Sequence, residues 1–322
     1  MTSPAKQKPF LLLAILTLVW GVNWPVMKIG ATELPPFWFR GLGLVLGTAL
    51  LGLYAAMKGV SLALPRGRLT RVCLLSLPNI MVWYLLVVAA ITMLPSGRAA
   101  ILGFTMPVWA ALIGVFVYGE RLHLRTAIGV ACAVGGVALL VTEDWSALLG
   151  HPLGVVLMLV AAASWAWGTH AMRRADLGMD TLALTFWMML VACPVLIGVS
   201  AAFEWARWRM PMGHEWWPVA YNAVLVLALC NVLWFSLART LSPVASGLSS
   251  MLIPVVGVFS GMVILGETPH WRDIAALILI CAAVATVLVR RSNHAIAKNK
   301  DNSGLQSVIS TEYARHRNKE NP

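Results

Sequence analysis

Charge is scarce in this chain. Of its 322 residues 11% are charged and only 13 are Asp or Glu, against about a quarter charged in soluble domains. The acidic residues fall in predicted loops, at span ends or in the C-terminal tail. No mid-span carboxylate is therefore present to act as the usual proton carrier. The five cysteines (Cys73, Cys132, Cys193, Cys230 and Cys281) lie inside apolar runs without a C-x-x-C pair. They read as small hydrophobes and support neither a disulfide framework nor a metal site. There is no G-x-x-x-x-G-K-[ST] to handle ATP and no H-E-x-x-H. Gly41-x-Gly43-x-x-x-Gly47 is mis-spaced for a dinucleotide fingerprint, and no Ser, His and acidic set can be located. No catalytic residue, metal or cofactor is expected.

Apolar residues are abundant instead, at 59% of the chain. A core cannot hide that much apolar surface, so lipid has to be the solvent for much of it. Apolar runs separated by short polar turns predict ten transmembrane helices at 10–30, 37–57, 71–92, 98–118, 124–141, 152–170, 181–202, 217–238, 244–265 and 272–290. These lengths suit about 30 Å of hydrocarbon at 1.5 Å per residue. β-barrel strands are shorter and alternate. The separators carry turn residues, among them Pro35-Pro36, Pro65-Arg66-Gly67 and Pro95-Ser96-Gly97. Lys6 and Lys8 precede the first run as in a signal peptide, but no A-x-A-like cleavage site follows, so it reads as a retained span.

The net charge of +11 does not mark a nucleic-acid partner, because the basic residues form no binding face. They follow the positive-inside pattern. Eighteen of the 24 Lys and Arg fall on the side shared by both termini, leaving Lys28, Arg40, Arg98, Arg207, Arg209 and Arg272 on the other. Both termini are expected to be cytoplasmic, in a multi-pass protein of the cell inner membrane. Residues 1–9 form the N-terminus, and 291–322 read as a disordered basic cytoplasmic tail.

The chain also repeats itself. Shifted by 147 residues, Trp20-Gly21 falls on Trp167-Gly168, Pro107-Val108 on Pro254-Val255, Gly114 on Gly261, Gly119-Glu120 on Gly266-Glu267 and Arg125 on Arg272, without a gap. The repeats are 10–141 and 152–290, five spans each. An odd count makes the second copy enter the membrane from the opposite side. The fold class is thus all-α integral membrane, two inverted five-helix repeats, an architecture suited to alternating access about a midplane site.

Trp20-Gly21-x-Asn23 with Lys28, then Pro107, Gly119-Glu120, Gly129 and Gly135-Gly136, resembles an EamA domain. Pro254 and Gly266-Glu267 form its second copy. The chain thus resembles the ten-helix EamA-type branch of the drug/metabolite transporter superfamily over most of 10–290. The second copy departs from the pattern, with Ala275-Ala276 and Ala282-Ala283 where the first has glycines. The resemblance implies a central cavity and transport of small solutes such as amino acids or other metabolites, often outward. A channel or a lipid/headgroup flippase of the same fold is the alternative, and the chain is expected to be a monomer or homodimer.

Glu120 and Glu267 each follow a Gly at a span end, with Arg125 or Arg272 five residues on. That spacing suits a turn in which the carboxylate caps the next helix, more than proton coupling, although ion coupling stays open. Lys28, Arg40 and Arg98 lie near the outer span ends, where cations snorkel. Lys28 is the exception to weigh, because Pro25 can kink the first span beside it and a solute carboxylate could be drawn there. Asn23, Asn79, Asn222, Asn231 and His170 are polar groups inside spans, suited to interhelical bonds or a cavity wall. Asn79 with Trp83 and Asn231 with Trp234 share helix faces. Trp20, Trp24, Trp83, Trp165, Trp167 and Trp234 lie inside spans, whereas Trp38, Trp205, Trp208 and Trp271 fit interfacial belts. Gly43-x-x-x-Gly47 and Gly257-x-x-x-Gly261 permit close helix contact. Pro107 and Pro254 should break the fourth and ninth spans at matching points, marking a substrate cavity.

Overall fold

Backbone in hydrocarbon must satisfy its own N–H and C=O groups, and this chain does so with helices. The computed structural model describes residues 4–119, 123–143, 152–175, 177–230, 233 and 243–286, and no strand occurs among them. In chain order the helices are α1 (Pro4–Glu33), α2 (Pro36–Met57), α3 (Leu69–Met93), α4 (Ser96–Phe116), α5 (Leu124–Glu143), α6 (Pro152–Arg174), α7 (Thr181–Glu204), α8 (216–230), α9 (Pro243–Leu265) and α10 (271–286). Six of them (α1 to α4, α6 and α7) are long and apolar enough to cross a bilayer. Two more, α5 and α9, contain the shorter apolar stretches Ala127–Leu140 and Leu252–Leu265. The expected tail at 291–322 and the candidates Glu120, Asn231 and Trp234 lie outside the described residues, and for Arg125 only the backbone is described.

The repeat is visible in backbone detail. Gly119 and Gly266, 147 residues apart, both close their helices at φ 66°, a left-handed conformation that L side chains avoid. The third and eighth helices both widen into π-helix, at Leu77–Val82 in α3 and Tyr221–Cys230 in α8. The shift carries the first of these segments into the second. Pro78 stands in the α3 segment, where it has no N–H to give the ladder, and its carbonyl accepts the Ser164 hydroxyl of α6 at 2.9 Å.

The expected pair of broken helices is only half present. α4 is interrupted between Gly103 and Met106, with Pro107 in the first turn of its second part. Pro254 instead lies inside the continuous α9. The difference comes from the residue two positions earlier. Thr105 folds its hydroxyl and its N–H back onto the Leu102 carbonyl, at 2.7 and 3.1 Å, which tightens that turn. Its counterpart in α9 is Leu252, with no hydroxyl to compete for backbone groups.

Helix packing follows the same exchange. α1 packs along α9 and α6 along α4, pairs that the shift interchanges. α3 with α6 and α8 with α1 form a second interchanged set, while α2 with α7 and α4 with α9 map onto themselves. The self-mapped pairs therefore straddle a pseudo-two-fold axis between the halves. A buried cluster around Trp24, Met27, Phe39, Ile91, Ile101 and Met158 joins both halves along that axis.

Candidate functional site

Two helices begin with a proline at the N-cap. Pro35 and Pro95 precede α2 and α4 and supply no capping side chain, leaving first-turn N–H groups without an acceptor. The other half of the chain provides both acceptors. Glu204, the last residue of α7 and 3% exposed, accepts the Phe37 N–H at 3.0 Å and the Trp38 N–H at 2.8 Å, with the Ser200 hydroxyl at 3.0 Å. Glu267, after α9, accepts the Ser96 N–H at 2.6 Å, the Ser96 hydroxyl at 2.9 Å and the Gly97 N–H at 3.1 Å. Glu267 thus caps a helix, but not the next one in the chain as its spacing implied. The start of α10 is capped locally, by Asp273 accepting the His270 N–H at 2.8 Å.

More cross-half contacts gather at this carboxylate-rich end. Arg98 pairs with Asp273 at 2.7 Å. Arg209 donates to the Glu33 carbonyl at 2.9 Å and to both oxygens of Glu215. The Arg209 hydrogen bonds, with the Met212 N–H, hold the Glu215 carboxyl at about 2, below its ordinary 4.5. Trp38 stacks on Trp208 at 4.5 Å, and their indole N–H groups bind the Arg209 carbonyl and Ser200 hydroxyl. Lys28 donates to the carbonyl of Leu94 just beyond α3, so the sequence-favoured cation for a solute carboxylate already serves a helix end. Arg272 lies over Trp271, 5.4 Å from the ring centroid.

Deeper in the bundle lies a buried polar band. Arg40, expected to snorkel, is 4% exposed, with Nη1 donating to Asn222 Oδ1 at 2.7 Å and its guanidinium carbon 3.8 Å from the Tyr84 ring centroid. Its helix packs closely on α8: a Cβ added at Gly47, two turns on, would sit 2.8 Å from Leu227 Cβ and 3.2 Å from the Ala223 carbonyl. Two buried atoms in this band have no hydrogen-bond partner, Arg40 Nε and Asn23 Oδ1. Asn79 is buried in the π segment of α3, donating to the Leu75 carbonyl at 2.8 Å and lying against Gly168. Trp83, half-buried, faces Trp165 at 5.2 Å.

Other sequence candidates do different work. Trp24 is buried, meets Phe104 edge-on at 6.4 Å and fills the space left by Gly103 and Gly257. Trp20 is half-buried beside Leu13 and Leu16. Trp167, its repeat counterpart, is 45% exposed and outside the band. His170 is buried, with Nε2 2.9 Å from the Ala110 carbonyl and Nδ1 3.3 Å from Arg174 Nη1. Its two ring nitrogens thus face a carbonyl on one side and a guanidinium on the other, which fixes the ring's orientation. Arg174 and His170 also bracket the Tyr118 ring, at 3.5 and 5.2 Å from its centroid. Among the described residues no group of three His, Cys, Asp or Glu could hold a metal ion. Glu204, Tyr84 and Asp273 carried no local sequence signal as site residues. For Arg40 the signal was a cation inside a span, weighed there as a snorkeller.

An all-helical membrane bundle whose halves exchange by one shift, with prolines, π segments and polar groups at its centre, belongs to the class of repeat-built transporters. The EamA-like transporter family matches twice, at residues 7–142 and 152–289. The chain belongs to that family: it is a multi-pass membrane protein and a transporter. It is 30% identical over 305 residues to the uncharacterized transporter YvbV of Bacillus subtilis, spanning 88% of this chain and 92% of that one. The uncharacterized transporter YoaV of the same organism is 25% identical, over 84% of this chain and 92% of its own. A probable amino-acid metabolite efflux pump of Escherichia coli is 25% identical over 81% and 88%. A solved crystal structure superposes with a TM-score of 0.61 at 22% identity, covering 88% of this chain and 98% of that one, and so shares the fold.

Proposed function

We propose that this protein is a secondary exporter of a small amphipathic metabolite, such as an amino acid or a related solute. It works by alternating access about a cavity between two inverted five-helix repeats at 10–141 and 152–290. It sits in the inner membrane with ten spans and both termini cytoplasmic, and the carboxylate-rich end faces outward. The observation that carries this reading is the interchange of helix pairs, α1 on α9 against α6 on α4. Two halves that pack through the same contacts in opposite senses support two conformations of similar energy, one open to each face. The relative named as an amino-acid metabolite efflux pump supports the solute class.

Asn23, Asn79, Trp83 and His170, with Asn231 and Trp234, are proposed to border the solute path near the halves' axis. Pro107 supports a hinge in it. Growth on a panel of toxic amino-acid analogues, with and without overexpression, tests the reading. Raised tolerance to one chemical class is expected, and uniform sensitivity would refute export. Saturable counterflow from loaded vesicles separates a carrier from a channel, and the absence of lipid flipping separates it from a flippase.

A further inference from the structure

We propose that Arg40, Asn222 and Tyr84 form an anion subsite that binds the carboxylate of the transported solute. This rests on the transporter reading above and assigns one contact within it. A guanidinium buried in a membrane bundle without a carboxylate is costly, so one is normally built in. Arg40 has an amide and a ring instead. Arg98 is paired with Asp273 and Arg209 with Glu215, whereas Arg40 has no carboxylate beside it among the described residues.

The geometry leaves one donor of the group unused. Nη1 is committed to Asn222 Oδ1 at 2.7 Å, and the Tyr84 ring covers one face of the guanidinium at 3.8 Å. Nε remains a buried donor without an acceptor. An acceptor arriving in the guanidinium plane at Nε meets a charge-assisted bond, the geometry that carboxylates favour. Asn222 is held in place because its Nδ2 donates to the Pro218 carbonyl at 3.2 Å, so its oxygen stays turned to Arg40.

A second orphan lies on the neighbouring helix. Asn23 Oδ1 is buried without a donor. Asn23 stands one turn beyond Val19, whose carbonyl accepts the Tyr221 hydroxyl at 2.8 Å. Tyr221 precedes Asn222, so α1 and α8 meet one turn from Asn23 and next to the residue that binds Arg40. An unsatisfied donor and an unsatisfied acceptor there match a solute carrying both an anion and an N–H group. A tie made only for structure would need neither orphan.

The test is thermal unfolding of the full chain in detergent with the common L-amino acids, each beside its carboxamide, as probes. At least one amino acid should raise Tm while its carboxamide does not. Arg40→Gln should abolish that shift. Arg40→Lys, which keeps the charge and loses the fork, should raise the half-saturating concentration about tenfold or more, and it serves if Arg40→Gln does not fold. Equal stabilisation by acid and amide, a shift retained in both variants, or no shift with any amino acid overturns the subsite. The transporter reading fails separately, when overexpression changes neither tolerance nor counterflow while the acid-selective Tm shift persists.

Discussion

Replacing Glu204 by Gln should lower the stability of the whole bundle, although it changes one atom per side chain. In the native protein one carboxylate oxygen accepts the Phe37 N–H at 3.0 Å, and the other accepts the Trp38 N–H at 2.8 Å and the Ser200 hydroxyl at 3.0 Å. A glutamine can keep its oxygen toward Trp38 and Ser200, which then aims its NH₂ at the Phe37 N–H. One buried donor loses its acceptor and faces another donor, a loss of about 1.5–3 kcal/mol for a bond to a charged group. Removing negative charge from the N-terminus of α2 adds about 0.3–1 kcal/mol. The sum is about 2–4 kcal/mol, which at about 2 °C per kcal/mol lowers Tm by about 4–8 °C. The assay is thermal unfolding of the purified full chain in detergent. Glu267→Gln should cost a similar amount at α4, and because the two caps share no partner the double variant should lose about the sum. A Glu204→Gln protein within about 1 °C of wild type would show that the cross-half caps are incidental to the fold.

Three further outcomes follow from the same contacts. Gly261→Ala puts a Cβ 2.6 Å from Ser96 Oγ and 2.7 Å from Glu267 Oε2; displacing that cap should cost about 1–3 kcal/mol, and an unchanged Tm would contradict it. Gly168→Ala places its Cβ 2.4 Å from Asn79. It should force α3 away from α6 and reduce both Tm and transport, whereas normal transport would mean that this contact does not set the path. The Glu215 carboxyl is depressed to about 2 from 4.5 in the folded protein. Its contribution is therefore full above pH 4.5 and is lost as pH falls through about 2. The Tm difference between wild type and Glu215→Gln should stay constant above pH 5 and vanish across that window, and a difference that persisted at the acid end would refute the pairing with Arg209.

Much of the fold was legible along the chain. Apolar run lengths predicted helices in the right order, and one shift of 147 residues anticipated the paired glycine turns at Gly119 and Gly266. Matching π segments carried no equivalent signal, because Pro78 in α3 has Leu225 as its counterpart in α8. Pro107 and Pro254 looked alike in sequence, yet only the first accompanies a broken helix, since the choice depended on a hydroxyl at Thr105. The site was less legible. Lys28 and Arg40 had the same local description, a cation near a span end. One serves a helix end at Leu94, and the other is buried against Asn222 and Tyr84.

Composition and periodicity by themselves determined that this chain lives in lipid, is helical and is built of two copies. Those properties are sums over neighbouring residues, so a linear reading contains them. The tertiary structure alone decided which carboxylate meets which helix, and that Arg40 is buried against an amide and a ring. Glu204 and Phe37 stand 167 residues apart, and Arg40 and Asn222 are 182 apart. No local pattern encodes a contact over that distance. It arises when packing of one half on the other brings an uncapped helix start and a buried guanidinium within 3 Å of their partners.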